Sequence, residues 1–201
     1  MKLLYSFGLF LLITCPVYAQ VTTSAKAGLS FASLHYKSQN SNQARITGYG
    51  GLQVRIELPN QFFFQPEALY SVRGYRFPST GFNNSGRVGY GYITFPLLAG
   101  YKLSKNFSIL AGPELGYLVR ARSHVDGESH DILSMVGRRF NIDADAGAAW
   151  NITTELKLEA RFSFGVTALY RGVLIDDMGN EIGRLNDGYH RVLQVGLAYS
   201  L

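Results

Sequence analysis

The apolar residues of this chain fall on alternate positions over eight long stretches, and the apolar set of each stretch carries no charge. Between Glu155 and Tyr170, one phase holds Leu156, Leu158, Ala160, Phe162, Phe164, Val166, Ala168 and Tyr170. The other phase holds Lys157, Glu159, Arg161, Ser163 and Thr167. Successive side chains of a strand point to opposite faces, so this spacing makes one apolar face and one ionic face. Eight such segments predict an all-β fold, an eight-stranded antiparallel up-and-down transmembrane β-barrel with lipid outside and a polar interior.

The predicted strands cover 24–36, 44–58, 61–77, 89–103, 107–121, 139–150, 155–170 and 189–201. Their connections alternate in length. Pro59-Asn60, 104–106 and 151–154 read as tight turns, whereas 37–43, 78–88, 122–138 and 171–188 are longer and polar or glycine-rich. Short turns at one end and long loops at the other are the outer-membrane arrangement, which puts turns and termini in the periplasm and loops outside the cell. Aromatics gather at strand ends. Phe62, Tyr101, Phe107, Trp150 and Tyr199 lie toward the turns, and Tyr70, Tyr117 and Tyr170 toward the loops. Two aromatic girdles are expected where rings meet headgroups.

Alternation does not by itself say which face is inside. A soluble lipocalin-like barrel would turn the apolar face into its lumen. Strands of 12 to 17 residues exceed the roughly 9–11 that cross a bilayer. Aromatics confined to strand ends and glycines on the ionic face (Gly28, Gly51, Gly100, Gly112, Gly116, Gly147, Gly165, Gly196) also favour lipid outside and a crowded interior.

Residues 1–19 read as a secretory signal peptide. Lys2 supplies the positive start, Leu3 to Ile13 the apolar run, and Val17-Tyr18-Ala19 a small-residue cleavage site, leaving a barrel domain over 20–201. The apolar run is too short to span a bilayer as a helix. The single cysteine, Cys15, lies inside this segment, and Thr14 precedes it where lipoprotein signals carry a smaller residue, so no disulfide is expected. The formal charge of +5 is spread through the strands rather than gathered in a run, which argues against nucleic acid as a partner.

The ionic phase places nine cations inside: Lys26, Arg45, Arg55, Arg73, Lys102, Arg120, Arg139, Lys157 and Arg161. Six anions join them: Glu57, Glu67, Glu114, Asp143, Asp145 and Glu159. Eight strands leave room only for side chains, so these charges must pair and plug the barrel rather than line a pore. Of the four histidines (His35, His124, His130, His190), two flank Asp126, Glu128, Asp131 and Ser134 in one long loop. That loop, His124 to Ser134, could serve a lipid-acting hydrolase. Its spacing matches no zinc site, and groups on a loop are poorly held for catalysis. No catalytic residue, cofactor or metal site is expected.

Three adjacent segments carry a family likeness: Gln65-Pro66-Glu67-Ala68-Leu69-Tyr70 followed by Gly74, then Tyr92-Ile93-Thr94-Phe95-Pro96-Leu97-Leu98, then Ala111-Gly112-Pro113-Glu114-Leu115-Gly116-Tyr117. With these the chain resembles the outer-membrane β-barrel family of Bacteroidetes that includes the PorT proteins. Proline inside a strand is normally confined to edges or bulges, so Pro66, Pro96 and Pro113 by themselves count against strands there; the resemblance implies that they sit at local bulges. The resemblance implies an integral outer-membrane barrel of a Gram-negative bacterium. These motifs are architectural and carry fold and location; the expected role is structural or interaction, with the long loops meeting secretion machinery or an extracellular protein and the barrel a monomer in outer-membrane lipid.

Overall fold

The computed structural model describes residues 20–35, 43–77, 85–125, 128–168, 170–175 and 181–201. The predicted signal peptide lies outside the described residues. The strands are β1 (Val21–His35), β2 (Gln43–Glu57), β3 (Phe62–Phe77), β4 (Gly86–Lys102), β5 (Phe107–Val125), β6 (Glu128–Asp131), β7 (Phe140–Asn151), β8 (Leu156–Gly165), β9 (Tyr170–Ile175), β10 (Glu181–Asp187) and β11 (Tyr189–Ser200). Every pairing is antiparallel. The order β4-β3-β2-β1-β11-β8-β7-β5 closes through a β4–β5 ladder, which gives the eight-stranded barrel. First and last strands zip without interruption from Ser24↔Ser200 to His35↔Tyr189, so no edge is left open to lipid.

Two segments predicted as loop are strand. β6 extends β5 beyond the barrel and leads into a 3-10 turn at Leu133–Met135, and β9 pairs with β10 as a separate hairpin. Correspondingly, the strand predicted over 155–170 ends at Gly165. Val166 and Thr167 both donate to Ile142 O, which breaks the alternation, and Ala168 is buried rather than lipid-facing. At the tight turn after β2, Asn60 and Gln61 take φ of 60° and 70°, the left-handed pair that suits the twist of a two-residue hairpin.

The predicted bulges at the prolines are absent. Pro66, Pro96 and Pro113 sit in ladders whose register continues on both sides. Instead, pairing lapses beside each: toward β2 between Gln53↔Glu67 and Ile56↔Phe64, toward β3 between Pro66↔Leu97 and Leu69↔Thr94, and toward β4 between Pro96↔Glu114 and Ala99↔Ala111. A proline lacks one N–H, so the ladder loses a bond without losing a residue. The register shifts lie elsewhere, between Ala44 and Tyr49 on β2 and between Gly91 and Tyr92 on β4.

Which face meets lipid is settled by burial. Leu29, Ile46, Leu52, Ile93, Phe95, Ile109, Leu193 and Leu197 are all exposed, while Lys26, Glu67, Arg73, Glu114, Asp143, Glu159 and Arg161 are all buried. This excludes the lipocalin arrangement. The turn-end girdle is present, with Phe62 and Tyr101 rings 5.0 Å apart and Phe107 opposite Trp150. Tyr70, Tyr117 and Phe140 form the upper one. The side chain of Tyr170 lies outside the described residues.

Candidate functional site

Inside the barrel, four buried cations (Lys26, Arg55, Arg73, Arg161) meet five buried anions (Glu67, Glu114, Asp143, Asp145, Glu159). Arg161, on β8, reaches across the lumen to Glu67 at 3.0 Å, lies 3.3 Å from Asp145 on the adjacent β7, and donates to Gln194 Oε1 at 2.7 Å. Lys26 bridges Glu67, at 3.0 Å, and Glu159. Arg73 pairs with both Glu114 and Asp143, and its guanidinium lies 5.2 Å from the Tyr92 ring centroid. Amides fill the gaps: Gln65 Nε2 donates to Glu67 at 2.8 Å and Asn141 Nδ2 to Asp143 at 2.9 Å. In a low dielectric each charge needs such partners, and here the strands supply them from opposite walls.

The interior is not wholly polar, as the ionic phase suggested. On the turn side, Phe63, Leu98, Leu110 and Ala149 make an apolar layer, and the Phe63 ring occupies the space a Cβ at Gly100 would need. On the loop side, Val88, Tyr90, Tyr92, Leu118, Ala121 and Val136 make another, roofed by Ile132 and Leu133 from the segment after β6. His190 lies beneath that roof with Nε2 3.1 Å from the Tyr92 hydroxyl. Two expected interior cations are outside. At the β4–β5 shift, Gly91 pairs with Arg120 and Tyr92 with Leu118, so Val119 and Arg120 both face outward. Arg139 is exposed just before β7.

Beyond the loop-side layer, the outer wall is basic. Arg76 on β3 stands directly opposite Arg87 on β4, and Arg87 opposite His124 on β5. Arg120, Arg122 and Arg191 are also exposed there. Partial desolvation, then Arg87, Arg45, Arg122 and Arg120, hold the His124 imidazole below its ordinary value of 6.5. The predicted hydrolase constellation does not assemble. His130 Nε2 reaches Glu128 at 3.4 Å on the open surface, and Asp131 Oδ1 accepts from the Leu133 N–H at 2.8 Å. Among the described residues no hydrogen bond joins Ser134 to either histidine, and no group of three potential metal ligands occurs. Asp126 lies outside the described residues.

Comparison with known proteins places this geometry. Residues 18–171 match the family model for the outer membrane protein beta-barrel domain. The chain belongs to that family. No curated protein matches it. Among solved structures, the barrel resembles Ail, the attachment invasion locus protein of Yersinia pestis, with a TM-score of 0.53 at 14% identity over 90% of this chain and 99% of that one. It also resembles Neisserial surface protein A, with a TM-score of 0.51 at 12% identity over 91% and 99%. At such identities the likeness is one of fold.

An outer membrane protein beta-barrel domain has its turns in the periplasm and its long connections outside. The protein is therefore an outer-membrane barrel whose basic wall, β6 and β9–β10 lie at the extracellular end. The arrangement offers a sealed, ion-paired interior and an outward-facing set of guanidinium groups. Chemically, the first resists charge movement and the second can hold oxyanions.

Proposed function

We propose that this barrel is a non-enzymatic, non-conducting interaction protein that presents its extracellular basic wall to an anionic partner. One observation carries this reading: Arg76 and Arg87 face each other directly across the β3–β4 ladder, with Arg120 and Arg122 on the next strand. Like charges opposite one another destabilise a sheet, so their grouping is paid for by something outside the fold. Sulfate, phosphate and carboxylate groups match the planar fork of arginine. The narrower kinship with PorT proteins of Bacteroidetes, and with it a secretion partner, is supported by the motifs around Pro66, Pro96 and Pro113. Those residues shape the ladders within the membrane, so they bear on ancestry rather than on the partner.

Ail is known in complex with the heparin analogue sucrose octasulfate, which makes that polyanion a suitable probe. Calorimetry on the folded barrel in detergent should show saturable binding that weakens with salt. Arg76→Ala with Arg87→Ala should reduce affinity by about tenfold or more, as loss of charge-assisted hydrogen bonds requires. Because partial desolvation and the arginines hold His124 below 6.5, binding should tighten as pH falls below that value and His124 gains its proton. His124→Ala should flatten that dependence. Undiminished binding by the double variant would overturn the reading. Lipid release by the purified barrel, abolished by His124→Ala and His130→Ala, would favour a hydrolase instead.

A further inference from the structure

At the opposite end, the barrel opens into a cavity of about 580 Å³ framed by the tight turns. It is lined by Arg55, Lys102, Lys105 and Lys157 against Glu57 and Glu155. Three of these charges are already engaged: Lys102 Nζ lies 2.7 Å from Glu57. Glu155 accepts from the Tyr199 hydroxyl at 3.0 Å. The two inner cations are not so served. Arg55 is 5% exposed, stacks its guanidinium 3.8 Å from the Phe63 centroid, and donates from Nε to Gln65 at 3.1 Å. Its Nη2 is buried with no acceptor among the described residues. Lys157, half-buried on β8, lines the same cavity as Arg55, and the two cations repel one another. The nearby anions are spoken for, Glu159 by Lys26 and Glu57 by Lys102.

Two cations lining one vestibule, one of them with a buried, unmatched Nη2 beside the Phe63 ring, leave a place for one oxyanion. We infer that this turn-end vestibule is a carboxylate-binding site facing the periplasm, with Arg55 and Lys157 holding the anion. A planar carboxylate suits a single free guanidinium edge and one ammonium. The hydroxyls of Thr22, Thr153, Thr154 and Ser200 around the mouth suit a polar chain attached to it. A peptide C-terminus has that chemistry. Phosphate shares the oxyanion character, so the test separates the two. The site is at the other end of the barrel from the basic wall and stands or falls independently of it.

The test uses the full mature chain folded in detergent, with folding of each variant confirmed by the mobility difference between unheated and boiled samples. N-acetyl-alanyl-alanine, its C-terminal amide and inorganic phosphate are titrated by calorimetry. The free acid should bind saturably and the amide should not. Lys157→Gln should weaken the free acid about tenfold, the loss expected for one charge-assisted hydrogen bond, and Lys157→Arg should restore it. Arg55→Lys keeps the charge but loses the fork, and should also weaken binding. Equal binding of acid and amide would overturn the inference. So would an unchanged Lys157→Gln, saturation by phosphate without saturation by the peptide, or no saturable binding by either.

Discussion

Arg73 shows what a charge requires inside so narrow a barrel. It is fully buried and paired with two carboxylates, Glu114 and Asp143, from β5 and β7. Removing it leaves Asp143 without its counter-charge and Glu114 with only Arg161, 3.8 Å away. Arg73→Ala should therefore cost roughly 3–5 kcal/mol in a detergent unfolding titration, the range for breaking a buried pair. Adding Glu114→Gln and Asp143→Asn should recover part of that loss. A change under about 1 kcal/mol would mean that water reaches the network. Alternation along each strand was enough to put Arg73, Glu114 and Asp143 on the inward phase. It was silent on who pairs with whom, because partners meet across the closed barrel, 70 positions apart for Arg73 and Asp143. It also misplaced Arg120, since one added residue at Val119 reverses every later position on β5. Tyr90, Tyr92, Leu98 and Leu110 were equally hidden: they share the inward phase, where only charges drew notice. The unmatched Nη2 of Arg55 left no signal in the sequence at all.

At the scale of an element, β7 and β8 measure the membrane. Ten positions separate Phe140 in the upper girdle from Trp150 in the lower one. At about 3.4 Å per residue and a tilt near 40°, this spans about 25 Å, the height of an outer-membrane apolar band. The midplane then falls near Ala146, whose partner on β8 is Phe162, whereas Leu158 lies opposite Trp150 at the headgroup level. Phe162→Arg should thus cost roughly 2–4 kcal/mol in lipid and Leu158→Arg roughly 0–1 kcal/mol. Equal losses at both positions would refute this depth assignment. The strand itself was legible because its two faces differ so sharply in chemistry. Its end was not: the break at Gly165 depends on two N–H groups competing for Ile142 O on the neighbouring strand, a tertiary contact. The prolines were misread for a related reason. A missing donor can be absorbed by a gap in one ladder, and only the neighbouring strands reveal which ladder yields.

For the whole molecule, the order of layers along the axis decides whether ions can pass. From the periplasm, an ion would meet the basic vestibule, then Phe63, Leu98, Leu110 and Ala149, then the paired charges, then the roof of Val88, Tyr90, Tyr92, Leu118, Ala121 and Val136. Eight strands enclose just enough room for side chains, and apolar constrictions exclude water as well as ions. The two apolar layers make no use of the ion pairs, so sealing and charge pairing are separable. Reconstituted wild-type barrel should show no steady conductance in a planar bilayer. Arg73→Ala, less stable but folded, should remain silent too, because both apolar layers keep all their side chains, Tyr92 losing only the guanidinium 5.2 Å from its ring centroid. Opening should instead require shrinking both layers together, as in Tyr92→Ala combined with Phe63→Ala. Large stable steps in the wild type would show that the layers do not seal. Steps appearing in Arg73→Ala alone would show that the charged network, rather than the apolar layers, is the barrier.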